Sequence, residues 1–204
     1  AYWMSSLMSL SRIPMDIRIR ESSTAKGIRV SEVTISSLDR VAVRGWLEEP
    51  VKPGRYPAVM RVPGYGGSME PLGMFTDRVV FSFNPRGHGN SQDTVKGKPE
   101  DFWIRGLDDK AGYFYQGAYM DCVRAMDFLV QHRSVDPSRI AVWGGSQGGG
   151  LALFVEEQHD VHAQQPEGLG AIGQMGQRHD RVPVLAKNGL LGDQHGNAPW
   201  ISNR

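Results

Sequence analysis

The chain has 204 residues, of which 40 % are hydrophobic and 22 % are charged, the composition of an ordinary globular protein with one domain. Its 23 basic and 22 acidic side chains nearly cancel, so there is no electrostatic signature of a nucleic-acid-binding protein, and no apolar stretch is long enough to span a membrane. The single cysteine, Cys122, excludes an internal disulfide and with it a small disulfide-bonded scaffold.

An amphipathic helix is predicted at the start of the chain. Apolar residues recur there at helical spacing and precede Pro14, which would end the helix: Trp3, Leu7, Leu10 and Ile13. The chain begins with Ala1 instead of methionine, so we expect that an upstream segment is missing. For that reason we assign no compartment, with a slight preference for the cytoplasm.

An antiparallel pair of strands is predicted next. Val33 and Ile35 alternate with polar residues, a turn occupies residues 37–40, and a second strand follows over residues 41–47. The pattern then changes to three short apolar strands, at residues 58–62, 79–83 and 140–143.

A helix is predicted between the last two of these strands. Its apolar stripe is closed off by a turn around Asp136 and Pro137, and it consists of Tyr119, Cys122, Val123, Met126, Leu129 and Val130. Parallel neighbouring strands need such a crossover. We therefore predict an α/β fold, with a mostly parallel sheet, an antiparallel N-terminal hairpin and flanking helices.

Glycines are concentrated at the ends of these strands, and one of the clusters carries chemistry. Residues 144–148, Gly-Gly-Ser-Gln-Gly, fit the G-x-S-x-G pattern of a nucleophile elbow between a strand and a helix. Side chains two positions before and after the serine would collide with the neighbouring strand and helix, so glycine is needed at both places. The strained turn would expose Ser146 as the nucleophile. It would also place the Gln147 amide where it can donate to the oxyanion formed on attack at an acyl carbon.

A phosphate-binding loop is the alternative interpretation of these glycines. A Walker loop needs Gly-Lys followed by Ser or Thr, which the chain lacks. A dinucleotide fingerprint needs G-x-G-x-x-G after the first strand, whereas this turn has a serine at its apex. The elbow is therefore favoured over a phosphate site and over a chance match.

Two other glycine clusters follow earlier strands. Residues 63–67, Pro-Gly-Tyr-Gly-Gly, are the candidate source of a second oxyanion donor, the amide of Tyr65. Residues 86–91, Arg-Gly-His-Gly-Asn-Ser, contain His88, which could act as the general base. We favour a structural turn in which Arg86 ties neighbouring loops together, because in this fold the base follows the serine along the chain. Before and into the predicted helix lies an aromatic run, for which we predict a role in core packing by default and in lining a pocket as the alternative: Tyr113, Phe114, Tyr115 and Tyr119.

Four motifs occur in an order that is itself informative. They are Gly-Tyr-Gly-Gly at 64–67, Arg-Gly-His-Gly-Asn-Ser at 86–91, Tyr-Gln-Gly-Ala-Tyr-Met-Asp at 115–121 and Gly-Gly-Ser-Gln-Gly-Gly-Gly at 144–150. Together they resemble the acetyl xylan esterase / cephalosporin C deacetylase family of α/β-hydrolases. The resemblance runs from about Trp3 to Leu153 and includes the N-terminal helix.

This resemblance implies an α/β-hydrolase fold and a serine carboxylesterase that removes acetyl groups from acetylated sugars, xylo-oligosaccharides or similar small esters. Ser146 would be the nucleophile, and the amides of Tyr65 and Gln147 would form the oxyanion hole. The resemblance implies no cofactor and no metal, and it implies a ring-like homo-oligomer. Two residues depart from the family's motifs, since Pro63 stands where histidine is usual and His88 where glutamine is usual.

Residues 155–204 do not continue the pattern. They contain few branched aliphatic residues, no strand alternation and four of the six histidines. We therefore predict a core at residues 1–154 and an atypical tail at 155–204, either disordered or translated out of frame. The family's acid and base lie far beyond the serine, and the tail offers only weak candidates for them: Asp180, Asp193 and His195. The expectation is a truncated or frameshifted member of the family, with an α/β-hydrolase fold that is incomplete at its C-terminus.

Two alternative functions stay open at this point. An oligopeptidase-like serine peptidase would share the elbow, but it usually carries an appended domain for which the chain has no room. A catalytically impaired fragment would keep Ser146 without the acid and the base, and loss of a triad member lowers the rate by several orders of magnitude.

Overall fold

A computed structural model describes residues 2–97, 101–110 and 112–159, together with the backbone of residues 184–187. Its strands form one mixed sheet in the order β1-β2-β3-β5-β4-β6-β7. The strands are β1 (Arg18–Ala25), β2 (Ile28–Ser36), β3 (Ala42–Pro50), β4 (Tyr56–Val62), β5 (Val79–Asn84), β6 (Val135–Gly145) and β7 (Val184–Lys187). The α-helices are α1 (Tyr2–Ser11), α2 (Phe114–Gln131) and α3 (Gln147–Gln158), and short 3-10 turns occupy Leu38–Arg40 and Gly89–Thr94.

The predicted antiparallel pair is confirmed as β2 and β3. Ile35 lies opposite Val43 in the ladder, and both side chains are fully buried. The structure adds β1, which the sequence analysis did not predict, as an antiparallel partner of β2. Every side chain of β1 is exposed, so this strand has none of the apolar alternation by which strands are recognised.

The parallel part of the sheet is also confirmed. β4 lies between β5 and β6 and pairs in parallel with both of them. All residues of β5 are buried, as expected for a strand inside a sheet that is covered on both faces. One detail was wrong: Asp136 and Pro137, predicted as a turn, lie inside β6 near its start, where the pairing with β4 is irregular.

The predicted crossover helix is confirmed as α2, which begins at Phe114, earlier than its apolar stripe. Its buried face packs on the sheet and includes Ala118, Cys122, Ala125, Met126 and Leu129. The predicted N-terminal helix is α1, and its Leu10 packs against Met120 and Val123 of α2. Arg124 of α2 donates to the backbone carbonyls of Leu10 and Ile13 and so satisfies the end of α1.

The division at residue 154 falls inside a helix, because α3 continues to Gln158. The sequence analysis expected no strand in the tail, and β7 corrects this, since it pairs in parallel with β6. Four residues without alternation are too short a signal for a strand, and this one is defined by its neighbour in the sheet. The predicted acid and base candidates lie outside the described residues: Asp180, Asp193 and His195. In the described part of the chain, no helix is both long and apolar enough to cross a membrane.

Candidate active site

Ser146 occupies the sharp turn that joins β6 to α3. Its backbone has φ 54° and ψ −122°, a conformation that L-residues rarely adopt and that stores strain. The residue is exposed, and its side chain makes no capping hydrogen bond to α3. The hydroxyl is therefore presented to solvent and is not used to cap the helix that follows it.

The glycines on either side of Ser146 are required by their neighbours. A Cβ at Gly148 would lie 2.6 Å from the Val62 backbone oxygen and 2.8 Å from that of Pro63. A Cβ at Gly144 would overlap the backbone carbonyl of Gly148 and lie 2.8 Å from Cγ2 of Val62. Real Cβ atoms do not approach backbone this closely. These contacts provide the steric reason that the sequence analysis proposed for the glycine spacing.

The amide of Gln147 lies at the first position of α3. The N–H groups of the first helical turn have no partner within the helix, and the helix dipole gives them positive character. The N–H groups of Gly149 and Gly150 point back to the Ser146 carbonyl at 3.0 and 3.3 Å. Gln147 thus supplies a backbone donor directly beside the serine, where an oxyanion would form.

The loop at residues 63–67 lies against the same turn. β4 and β6 are parallel neighbours with Val62 opposite Gly144, so the loop that follows β4 comes directly beside the elbow. A Cβ at Gly64 would lie 3.4 Å from the Gly145 carbonyl oxygen and 3.9 Å from Cβ of Ser146. A bond from the Gly67 N–H to the Gly64 carbonyl, 3.0 Å long, closes the turn around Tyr65. The structure therefore brings together the segments that carry all three predicted site residues.

The ring nitrogens of His88 face the Arg86 carbonyl and the Gln147 side chain. The side chain is buried, with Nδ1 3.0 Å from the Arg86 carbonyl and Nε2 3.1 Å from Nε2 of Gln147. Burial lowers the pKa of His88 below its usual value, partly opposed by the Arg86 carbonyl and by the charge of Asp121. The residue is thus part of a buried turn, as the sequence analysis favoured.

Arg86 ties three segments together, also as predicted. Its guanidinium makes two hydrogen bonds to the Asp121 carboxylate of α2, at 2.8 and 2.9 Å, and one to the Leu38 carbonyl at 3.0 Å. Its backbone N–H also donates to Asp121, at 2.9 Å. The turn at residues 86–91 is in this way anchored to α2 and to the turn after β2.

Residues 1–165 match the model of the acetyl xylan esterase (AXE1) family. The chain belongs to this family. It is 27 % identical over 169 residues to the acetyl esterase Axe7A of Xylanibacter ruminicola, a match that covers 75 % of this chain and 38 % of that protein.

Solved structures of acetyl xylan esterases have the same fold. The enzyme from Paenibacillus sp. R4 is 27 % identical, with a TM-score of 0.69, over 78 % of this chain and 55 % of that one. Acetyl xylan esterase 1 from Thermoanaerobacterium sp. JW/SL YS485 is 24 % identical, with a TM-score of 0.68, over 76 % of this chain and 52 % of that one. The chain thus spans about half the length of these solved relatives and less of Axe7A. Family membership and the α/β-hydrolase fold are both established by these comparisons.

One residue of the candidate site was missed by the sequence analysis. Tyr115, assigned by default to the core, is only partly buried and donates its hydroxyl to Oε1 of Gln147 at 2.6 Å. Burial, together with the neighbouring Tyr65, Tyr113 and Tyr119, raises the pKa of Tyr115 to about 12, so the hydroxyl stays protonated. The aromatic run before α2 was the only signal in the sequence, and it did not distinguish this residue from its neighbours.

The other described histidines are also occupied elsewhere. Nε2 of His159 lies 3.0 Å from a carboxylate oxygen of Asp127, but His159 is at the far end of α3, about 20 Å along the helix from Ser146. His132 follows the last turn of α2, and its Nδ1 faces Glu49 at 3.8 Å. Among the described residues, no group of His, Cys, Asp and Glu could hold a metal ion.

Proposed function

We propose that this chain carries the nucleophile and the oxyanion hole of a serine carboxylesterase that removes acetyl groups from acetylated sugars, xylo-oligosaccharides or similar small esters. One observation carries the proposal: Ser146 is exposed on a strained strand-to-helix turn that also supports the Gln147 amide and the Tyr65 loop. The acetyl specificity rests on membership of the acetyl xylan esterase family.

The proposed reaction has two stages. Oγ of Ser146 attacks the acetyl carbonyl carbon, a general base takes the hydroxyl proton, and the amides of Gln147 and Tyr65 donate to the oxyanion. Collapse of this intermediate breaks the ester C–O bond, the sugar alcohol leaves with a proton, and an acetyl-serine remains. Water then attacks the acetyl-serine and releases acetate. For the acid and base we propose only the tail candidates Asp180, Asp193 and His195.

Hydrolysis of 4-nitrophenyl acetate and labelling by a fluorophosphonate test the proposal. Ser146→Ala should abolish both signals, whereas Ser11→Ala, which changes an exposed serine of α1, should leave both unchanged. Acetylated xylo-oligosaccharides should release acetate, and a proline-containing peptide should not be cleaved, which would exclude the peptidase alternative. If wild-type protein gives neither labelling nor turnover, the proposal is wrong.

A burst experiment separates the intact enzyme from the impaired fragment. An enzyme with a working base hydrolyses its acetyl-serine and turns over many times. A fragment without one releases 4-nitrophenol slowly, at most one equivalent per Ser146, and does not turn over, because acylation and deacylation both need the base.

A further inference from the structure

The side chain of Gln147 is held at both of its polar ends. The Arg86 carbonyl can only accept, so Nδ1 of His88 carries the proton and Nε2 of His88 is a bare acceptor. The group facing it, Nε2 of Gln147, must therefore be the amide nitrogen that donates. The amide oxygen at the other end accepts from the Tyr115 hydroxyl. Each donor in this series of hydrogen bonds meets one acceptor. Only one orientation of the Gln147 side-chain amide therefore satisfies both of its hydrogen bonds.

The first turn of α3 carries few side chains. Gln147 is followed by Gly148, Gly149 and Gly150, so it has the only side chain in the first turn of the helix. Glycine is the least favourable helix residue after proline, because its backbone loses the most conformational freedom. The Ser146 hydroxyl does not cap this turn either. Besides the close packing of Gly148 on the β4 end, the Gln147 side chain is therefore the contact that can orient the first helical N–H.

The two groups that hold Gln147 are themselves rigid. His88 packs against the rings of Phe102 and Phe114, with ring centroids 6.1 and 6.4 Å away, and its carbonyl partner belongs to Arg86. Arg86 in turn is fixed by Asp121 of α2. Tyr115 lies in the first turn of the same helix. Through His88 and Tyr115, α2 therefore contacts the Gln147 side chain by two separate routes.

We propose that His88 and Tyr115 are positioning residues that orient the backbone N–H of Gln147 as an oxyanion donor. The inference rests on the proposed function, in which that N–H stabilises the charge formed when Ser146 attacks an acyl or phosphonyl centre. Both residues act through the Gln147 side chain, which they clamp from opposite ends.

The experiment measures how fast a fluorophosphonate labels Ser146 in the full chain, with the maximal labelling rate separated from the reagent's apparent binding constant. His88→Leu removes the acceptor for Gln147, and Tyr115→Phe removes the donor. Each change should lower the maximal rate roughly tenfold while leaving the binding constant unchanged, since outright loss of an oxyanion donor costs about 10²–10³. His88→Gln should restore the rate to within about twofold of wild type, because its amide can both accept from Gln147 and donate to the Arg86 carbonyl.

Tyr119→Phe is the matched control. It removes a hydroxyl one turn further along α2, from a ring that packs on Phe154, so the variant should label at the wild-type rate. Melting temperatures measured in parallel separate positioning from folding: a variant that is folded at the assay temperature and still slow supports the proposal. Equal labelling of wild type, His88→Leu and Tyr115→Phe would overturn this inference alone. Absence of labelling in wild type would refute the proposed function, and the inference with it.

Discussion

The ion pair between Arg86 and Asp121 should be the most sensitive polar contact in the described part of the chain. The Asp121 side chain is fully buried, that of Arg86 is 10 % exposed, and three hydrogen bonds join the two residues. Burial opposes the charge on Arg86, but the charge and hydrogen bonds of Asp121 outweigh it and raise the pKa of Arg86. Asp121→Asn keeps the shape of the side chain and removes its charge.

The cost follows from what this substitution leaves behind. A guanidinium that stays buried without its counter-charge destabilises a protein by about 3–5 kcal/mol. At roughly 1.4 kcal/mol per factor of ten, the ratio of folded to unfolded protein falls at least about a hundredfold. The double variant Arg86→Met/Asp121→Asn leaves neither charge buried. It should therefore lose less stability than Asp121→Asn alone.

Urea unfolding followed by tryptophan fluorescence provides the measurement. The matched control is Asp77→Asn, which removes the carboxylate of a surface pair with Arg78 whose Asp77 side chain is 65 % exposed. Exposed pairs of this kind contribute about 1 kcal/mol or less. A loss for Asp121→Asn that is no larger than the control's would refute the reasoning, as would a double variant less stable than Asp121→Asn.

Two further predictions concern the elbow and the buried histidines. Gly148→Ala should lower the free energy of unfolding by about 1–3 kcal/mol, because its Cβ would collide with the Val62 carbonyl. Gly150→Ala should raise the free energy of unfolding by about 0.5–1 kcal/mol, because its Cβ makes only an ordinary contact and alanine favours a helix more than glycine does. Denaturation curves for the two variants check this, and equal effects would contradict the packing at Gly148. Burial lowers the folded-state pKa of His88 and of His132. Below about pH 6.5 the unfolded chain therefore binds more protons than the folded chain. As the pH is lowered through this range, the free energy of unfolding should decrease by up to about 1.4 kcal/mol per pH unit per histidine. Denaturation curves recorded between about pH 7.5 and 5.5 measure this slope, and His88→Gln should reduce it. No slope is expected if both histidines have their ordinary pKa, and that result would contradict the prediction.

The elbow could be predicted from the sequence because its determinants are local. The strand, the turn and the helix start are consecutive, and Gly144 and Gly148 are needed at fixed distances from Ser146 whatever lies further away. The parallel strands could be predicted equally well, since β4 and β5 are short apolar segments that end in glycine-containing turns. The relation between the Tyr65 loop and the elbow then followed from the rule that parallel strands end at the same edge of a sheet.

The remaining features depend on contacts that no local pattern encodes. The bonds from Gln147 to Tyr115 and to His88 join residues 32 and 59 positions apart. A tyrosine in an aromatic run is compatible with the core or with a polar contact, and only the tertiary fold decides which. β1 was missed for a related reason, since an entirely exposed strand is specified by its pairing with β2 and not by its own apolar pattern.

The described residues include candidate donors to the oxyanion but no candidate base for the Ser146 proton. His88 accepts from Gln147, His159 faces Asp127 and His132 faces Glu49, so within the described residues no histidine is placed to take the proton of Ser146. Removing a triad member in serine hydrolases still leaves about 10³–10⁴-fold catalysis over water, which comes from the oxyanion hole and from binding. In the proposed site, that residual part would depend on the Gln147 amide and on the groups that hold it. Variants that share the same tail have the same base or the same lack of one, so a difference in their maximal Ser146 labelling rates reports on the oxyanion hole, whereas sustained turnover requires the base.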